Sequence, residues 1–155
     1  MIRKEKEELP YINKDFYKAI LEVQRIEYKS VAYRTLAPAR ILQAKDTKLT
    51  KGEIYSLIIL ICEDEEINAP KVKFRKNFRT AYCSVRNLIR INTSKDMDAH
   101  SVIHELTHHC TDSLIRALRI AARTRDRKGP SYHGRIFSIY QDYLLFEYQK
   151  YWIKL

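Results

Sequence analysis

His104-Glu105-Leu106-Thr107-His108-His109-Cys110-Thr111-Asp112 is the stretch on which the reading of this chain turns. On a helix, a spacing of four sets His104 and His108 on one face, one turn apart. Two imidazoles so placed chelate a single Zn²⁺ at about 2.0–2.1 Å. Glu105 lies beside them, where a carboxylate can take a proton from an attacking water. Ala99, Val102, Ile103, Leu106, Cys110, Leu114 and Leu118 recur at helical spacing around the motif, so one long helix is predicted over 98–122 with its apolar side in a core. The plain alternative is a helix that carries two surface histidines.

Upstream of that helix the period shortens. Lys71-Val72-Lys73-Phe74-Arg75 alternates strictly, as in a half-exposed strand with one basic face. Thr80–Val85 and Leu88–Asn92 follow as two further strands joined by a short turn at Arg86-Asn87, which suggests an antiparallel meander. Further back, Thr50-Lys51-Gly52-Glu53 has the form of a capping box and predicts a helix over 51–65. A buried strand over 55–62 is its competitor. Phe16, Ile20, Val23 and Ile26 predict a first helix over 13–29, whereas 31–46, with Pro38 in its middle, reads either way. Downstream, Arg123–Pro130 is a basic loop and Ser131 can cap a last helix. There Ile136, Phe137, Tyr140, Leu144, Leu145, Tyr148 and Trp152 make one apolar stripe.

The predicted fold class is therefore α+β. A small antiparallel three-stranded sheet packs on the motif helix and a C-terminal helix, with one or two N-terminal helices added. The 155 residues suit one domain, 1–155, with its motif-bearing core at about 71–150. Cys62, Cys83 and Cys110 form no CxxC pair, which argues against a disulfide framework and a thiolate metal site and for core thiols in a reducing compartment. The charged opening MIRKEKEELP lacks the apolar core of a signal peptide, and the apolar run Ile54–Cys62 is too short for a membrane span. A soluble, cytoplasmic protein is expected, with a monomer favoured and the oligomeric state left open by the sequence. Its 29 Lys+Arg against 19 Asp+Glu give +10, a balance that suits nucleic acid or another polyanion.

A catalytic zinc needs a third protein ligand and a position open to water. Six residues after His108, where metzincins carry a histidine, stands Leu114. The nine residues HELTHHCTD resemble the thermolysin group, whose third ligand is a glutamate about twenty residues on. This chain has only Thr124–Lys128 in that region, with Asp126 between Arg125 and Arg127. Asp142 and Glu147 lie roughly 13 and 21 Å along the last helix from its start. His133, at the beginning of that helix, is the remaining candidate, because a return helix antiparallel to the first can carry it back over His104 and His108.

Here the chain resembles the SprT-like (Spartan-type) metallopeptidases, whose signature is HExxH, a spacer of twenty-odd residues, then HGxxF. His133-Gly134-Arg135-Ile136-Phe137 matches the second element. The order, with an Ala81-Tyr82 strand and then a strand like Leu88–Asn92 before the helix, also resembles small metallohydrolases of bacteria and their phages. The resemblance implies a minimal zincin core with His104, His108 and His133 on zinc and Glu105 as general base. Tyr132 before the histidine, Arg135-Ile136 where Pro-Glu is usual, and the absence of zinc-ribbon cysteines depart from the pattern.

The expected activity is zinc-assisted hydrolysis of a protein or peptide substrate, with Glu105 relaying a proton from water to the leaving amine. The 88–92 strand, as an edge, is expected to pair an extended peptide. Arg116, Arg119 and Arg123, continuing into Arg125, Arg127 and Lys128, are the candidate contacts to DNA. The competing functions are a basic nucleic-acid-binding domain with a purely structural zinc, and a hydrolase of a non-peptide amide. His109, about 100° round the helix from His108, reads as a supporting or surface group, and His100 as solvent-facing. Tyr82 and Tyr132 are the candidate donors to an oxyanion.

Overall fold

The computed structural model of the chain describes residues 14–122 and 134–154. Among these residues three helices come first: α1 (Lys14–Val31), α2 (Ala37–Asp46) and α3 (Lys51–Asp64). Strands β1 (Lys71–Arg75), β2 (Ala81–Cys83) and β3 (Leu88–Asn92) follow, then α4 (Ala99–Ala122), α5 (Arg135–Glu147) and the single turn α6 (Gln149–Trp152). The class is α+β. No described helix is long and apolar enough to cross a membrane.

Local chemistry sets the helix ends. The ambiguous 31–46 stretch resolves into a turn over 32–36 and the helix Ala37–Asp46, in whose first turn Pro38 falls, where the missing N–H costs nothing. At α3 the capping box forms in full. The Thr50 hydroxyl accepts from the Glu53 N–H at 3.1 Å, and Glu53 Oε1 accepts from the Thr50 N–H at 2.8 Å. The helix ends in a Schellman turn: Ile67 N–H reaches the Cys62 carbonyl at 2.8 Å and Glu66 N–H reaches that of Glu63 at 3.1 Å. Glu66 therefore adopts φ 58°, a left-handed conformation that glycine would hold with less strain. α4 is capped by Asp98, whose carboxylate accepts the Ser101 N–H at 2.8 Å. The expected Ser131 cap lies outside the described residues; among those described, α5 begins at Arg135 after Gly134.

The sheet corrects the meander. Its order is β1-β3-β2, with β1 parallel to β3 and β2 antiparallel to it. The sheet is thus mixed, and β3 is its centre. Burial explains the choice. β3 offers Leu88, Ile89 and Ile91, all buried, whereas β1 alternates with exposed Lys71, Lys73 and Arg75. The strand with most to bury takes the middle, and the basic strand takes an edge. The loop 76–80 carries the chain past the end of β3, and β2 returns through a tight turn in which Asn87 holds φ 51°. With 88–92 central, that strand is not the free edge expected to pair a peptide; the edges are β1 and β2.

α4 is the hub. It packs on α1, α2, α3, α5, β2 and β3. Ala99, Val102, Ile103, Leu106 and Cys110 are all buried on it, as the spacing predicted, and Leu114 packs on the core; the Leu118 side chain lies outside the description. α5 is buried on more sides than its single stripe implied, because Ile139, Tyr143 and Phe146 join the stripe against α1 and α2. One polar knot ties this bundle. The Glu65 carboxylate, 3% exposed, accepts from Tyr143 Oη at 2.6 Å and from Tyr148 Oη, and pairs with Arg25 at 3.1 Å. A carboxylate so buried is tolerated because each oxygen is hydrogen-bonded. Cys62, Cys83 and Cys110 are all free thiols.

Candidate metal centre

Helical geometry delivers the first part of the site. His104 and His108 stand one turn apart on α4, their ring centroids separated by 5.2 Å. Both rings are half-buried and open on a cleft of about 450 Å³ that Glu105, Arg79, Thr80, Ala81, Tyr82 and Arg90 also line. β2 forms one wall of this cleft, and its Tyr82 N–H donates to the Glu105 carboxylate.

The second part comes from α5. Phe137, in its first turn, lies 4.5 Å from the His108 ring and 4.9 Å from that of His104, centroid to centroid. One turn later, Gln141 Oε1 sits 2.8 Å from His104 Nδ1. An amide oxygen only accepts, so Nδ1 carries the proton and the Nε2 lone pair is the one through which this imidazole can bind a cation. The last helix thus returns over the histidine pair as the sequence suggested. His133 itself lies outside the described residues, as do Tyr132, Arg123, Arg125, Asp126, Arg127 and Lys128, and nothing is described of the Arg119 side chain. Among the described residues no three His, Cys, Asp or Glu side chains converge as a metal cage.

Glu105 is 8% exposed, and its carboxyl is pushed up to about 7. Burial is the largest cause, Asp96 adds repulsion, and the Tyr82 N–H and Arg79 pull the other way. A group poised there exchanges protons with water near neutrality. Two imidazoles on one helical face, one held in a fixed tautomer, are donors suited to a borderline cation such as Zn²⁺, and the adjoining Glu105 carboxyl is placed beside them as a proton acceptor.

The other histidines divide differently from expectation. His109 is a supporting group: its Nε2 donates to the Asn68 carbonyl at 2.6 Å, which leaves Nδ1 to accept from Tyr82 Oη at 3.2 Å. That contact occupies the Tyr82 hydroxyl, so Tyr82 serves the cleft through its backbone and not as an oxyanion donor. Burial lowers the pKa of His109. His100 is half-buried and not solvent-facing, its ring centroid 5.9 Å from that of His104, because the neighbouring turn packs against the core. Burial and the neighbouring His104 lower its pKa. Arg116 is exposed but paired with Asp112 at 2.9 Å, and it lines a separate cleft of about 760 Å³ on the far side of Tyr82.

Gln141, Arg79 and Arg90 were not picked out from the sequence. Gln141 had a signal, since it follows Phe137 by one turn on the last helix; the two arginines had none, because only the sheet order brings them to the cleft. Comparison of the chain with protein-family models, with curated proteins and with solved structures gives no match.

Proposed function

We propose that this chain is a zinc-dependent metallohydrolase that cleaves peptide bonds, built on a minimal zincin-like core and resembling the SprT-like metallopeptidases. The observation that carries the reading is convergence. A helical His104–His108 pair, a buried carboxyl poised near neutrality and the first turn of a returning helix all meet at one cleft. His104 and His108, with His133 as the third ligand, would hold the ion. Bound there, zinc supplies a Lewis acid that polarises a carbonyl and acidifies water.

The protein's own groups do the rest. Glu105, as the carboxylate, takes a proton from the attacking water and returns it to the leaving amine nitrogen. The Tyr82 N–H holds that carboxylate towards the cleft, and Gln141 fixes the His104 ring. β2, whose outer edge pairs with no described strand, lies along the cleft where an extended peptide can add as a strand. The Phe137 ring packs on both histidine rings and covers them on one side.

The second reading is a basic nucleic-acid-binding domain with a structural zinc, favoured by the net charge of +10. A structural site needs no buried acid beside its ligands, and Glu105 is one. The discriminating measurement is zinc stoichiometry paired with turnover on an unfolded casein. Wild type should bind about one zinc and cleave, His104→Ala and His108→Ala should lose zinc, and Glu105→Gln should keep zinc and lose cleavage. Cleavage by Glu105→Gln within tenfold of wild type would remove Glu105 from its role. Wild type empty after reconstitution would remove the metal centre.

A further inference from the structure

The positive charge of this chain is not spread over it. From Ile67 to Lys95 there is no Asp or Glu, while Lys71, Lys73, Arg75, Lys76, Arg79, Arg86, Arg90 and Lys95 all fall there. This segment, which is the whole sheet with its loops, holds eight of the ten net positive charges. Elsewhere the carboxylates are interspersed with the cations, and five of the described cations are ion-paired: Arg25 with Glu22 and Glu65, Lys29 with Glu147, Arg116 with Asp112, Arg135 with Glu27 and Lys154 with Glu53. Among the described residues, no carboxylate forms an ion pair with any of the eight.

The fold arrays them. Lys71, Lys73 and Arg75 are exposed on one face of β1, with Val72 and Phe74 turned to the core. Successive members of this row stand about 6.6 Å apart along the strand. Lys73 is in register with Arg90 of β3, so the row continues sideways across the sheet. Arg90 stacks its guanidinium 5.7 Å from the Phe78 ring, and its Nε is buried without a hydrogen-bond partner. Arg90 and the exposed Arg79 then line the cleft of His104, Glu105 and His108. Cations without anions cost self-repulsion, which a polyanion would relieve.

We propose that the outer face of the sheet, led by Lys71, Lys73 and Arg75 and continued through Arg90 and Arg79, docks the phosphodiester backbone of nucleic acid alongside the cleft. Recognition there is of charge and not of base sequence, since the row offers ammonium and guanidinium groups on a flat face and no helix to enter a groove. This assigns nucleic acid to the sheet and not to the arginine stripe of α4, whose Arg116 is already paired. It does not rest on hydrolysis. A protein that binds nucleic acid this way can be an enzyme or not.

The test is fluorescence anisotropy of a short duplex DNA with the zinc-reconstituted full chain between 50 and 200 mM salt. The wild type should bind at low salt without sequence preference. The triple variant Lys71→Gln/Lys73→Gln/Arg75→Gln should lose about tenfold or more in affinity at 50 mM, and the slope of log K against log salt should flatten by roughly 2.7, about 0.9 per lost contact. Its far-UV circular dichroism and zinc content should match wild type, since all three side chains are exposed. Arg116→Gln/Arg119→Gln/Arg123→Gln should leave the slope nearly unchanged. The proposal is overturned by absence of binding at low salt, by an unchanged slope in the β1 variant, or by loss confined to the α4 variant. It is also overturned if a glutamate-rich peptide of matched charge binds as tightly as DNA, which would assign the face to an acidic protein.

Discussion

Glu105→Gln should stabilise the protein when no metal is bound, and should do so only at neutral and alkaline pH. In the fold the carboxyl sits at about 7 against an ordinary 4.5, chiefly because it is buried. The folded state therefore holds the proton more tightly than the unfolded chain does. Stability from this group is complete below about pH 4.5 and is lost as pH rises through about 7. A displacement of that size corresponds to about 3 kcal/mol between the ends of the window, and water reaching the cleft reduces it to about 1–3 kcal/mol. Glutamine keeps the shape and still accepts the Tyr82 N–H, but carries no charge to desolvate. For a chain of this length, 1 kcal/mol moves Tm by roughly 2–4 °C. With chelator present, thermal unfolding followed by circular dichroism should put the variant about 3–10 °C above wild type at pH 8 and close to it at pH 5. Zinc should narrow the gap at pH 8, because a cation beside the carboxylate offsets its burial. Equal gaps at the two pH values, or a wild type that gains stability from pH 5 to pH 8 relative to the variant, would refute the reasoning.

Three further outcomes follow from the geometry. His133→Ala should lower zinc affinity by orders of magnitude in a competitive chelator titration while the helix content persists, and Asp126→Ala should not. Gln141→Leu should weaken zinc by roughly 10–100-fold through loss of the His104 tautomer, and Gln141→Glu, which keeps the acceptor, should restore it in the same titration. Glu66→Gly should raise stability by about 0.5–1 kcal/mol in urea, because it releases a left-handed backbone that glycine adopts without strain.

The helical part of the fold was legible because its signals are local. The capping box at Thr50 and Glu53, the four-residue repeat of α4 and the apolar positions of α5 each act within a turn or two of their own residues. The sheet order was not. Tight connections between 71 and 92 suggest sequential pairing, yet which strand takes the centre depends on what each strand can bury. Ile89 and Ile91 outweigh the loop-length argument, and with them the edge beside the cleft passes from β3 to β2.

The site divides along the same line. His104, Glu105 and His108 are fixed by one helical turn, so their proximity was readable from spacing alone, whereas Phe137 was read only as part of the last helix's apolar stripe and of the HGxxF match. The chemistry of Glu105 was not readable. A carboxyl at that position is acidic or near neutral depending on whether β2 covers it, and β2 reaches it only because β3 displaced it to the edge. The same displacement brings Arg79 and Arg90 to the cleft and lays Lys73 beside Arg90. One competition for burial among three strands therefore sets the proton affinity of the candidate base, the edge open to a peptide and the path of positive charge to the site. Substitution of Ile89 or Ile91 by a polar residue should disturb all three together, whereas a change at Lys71 should disturb only the last.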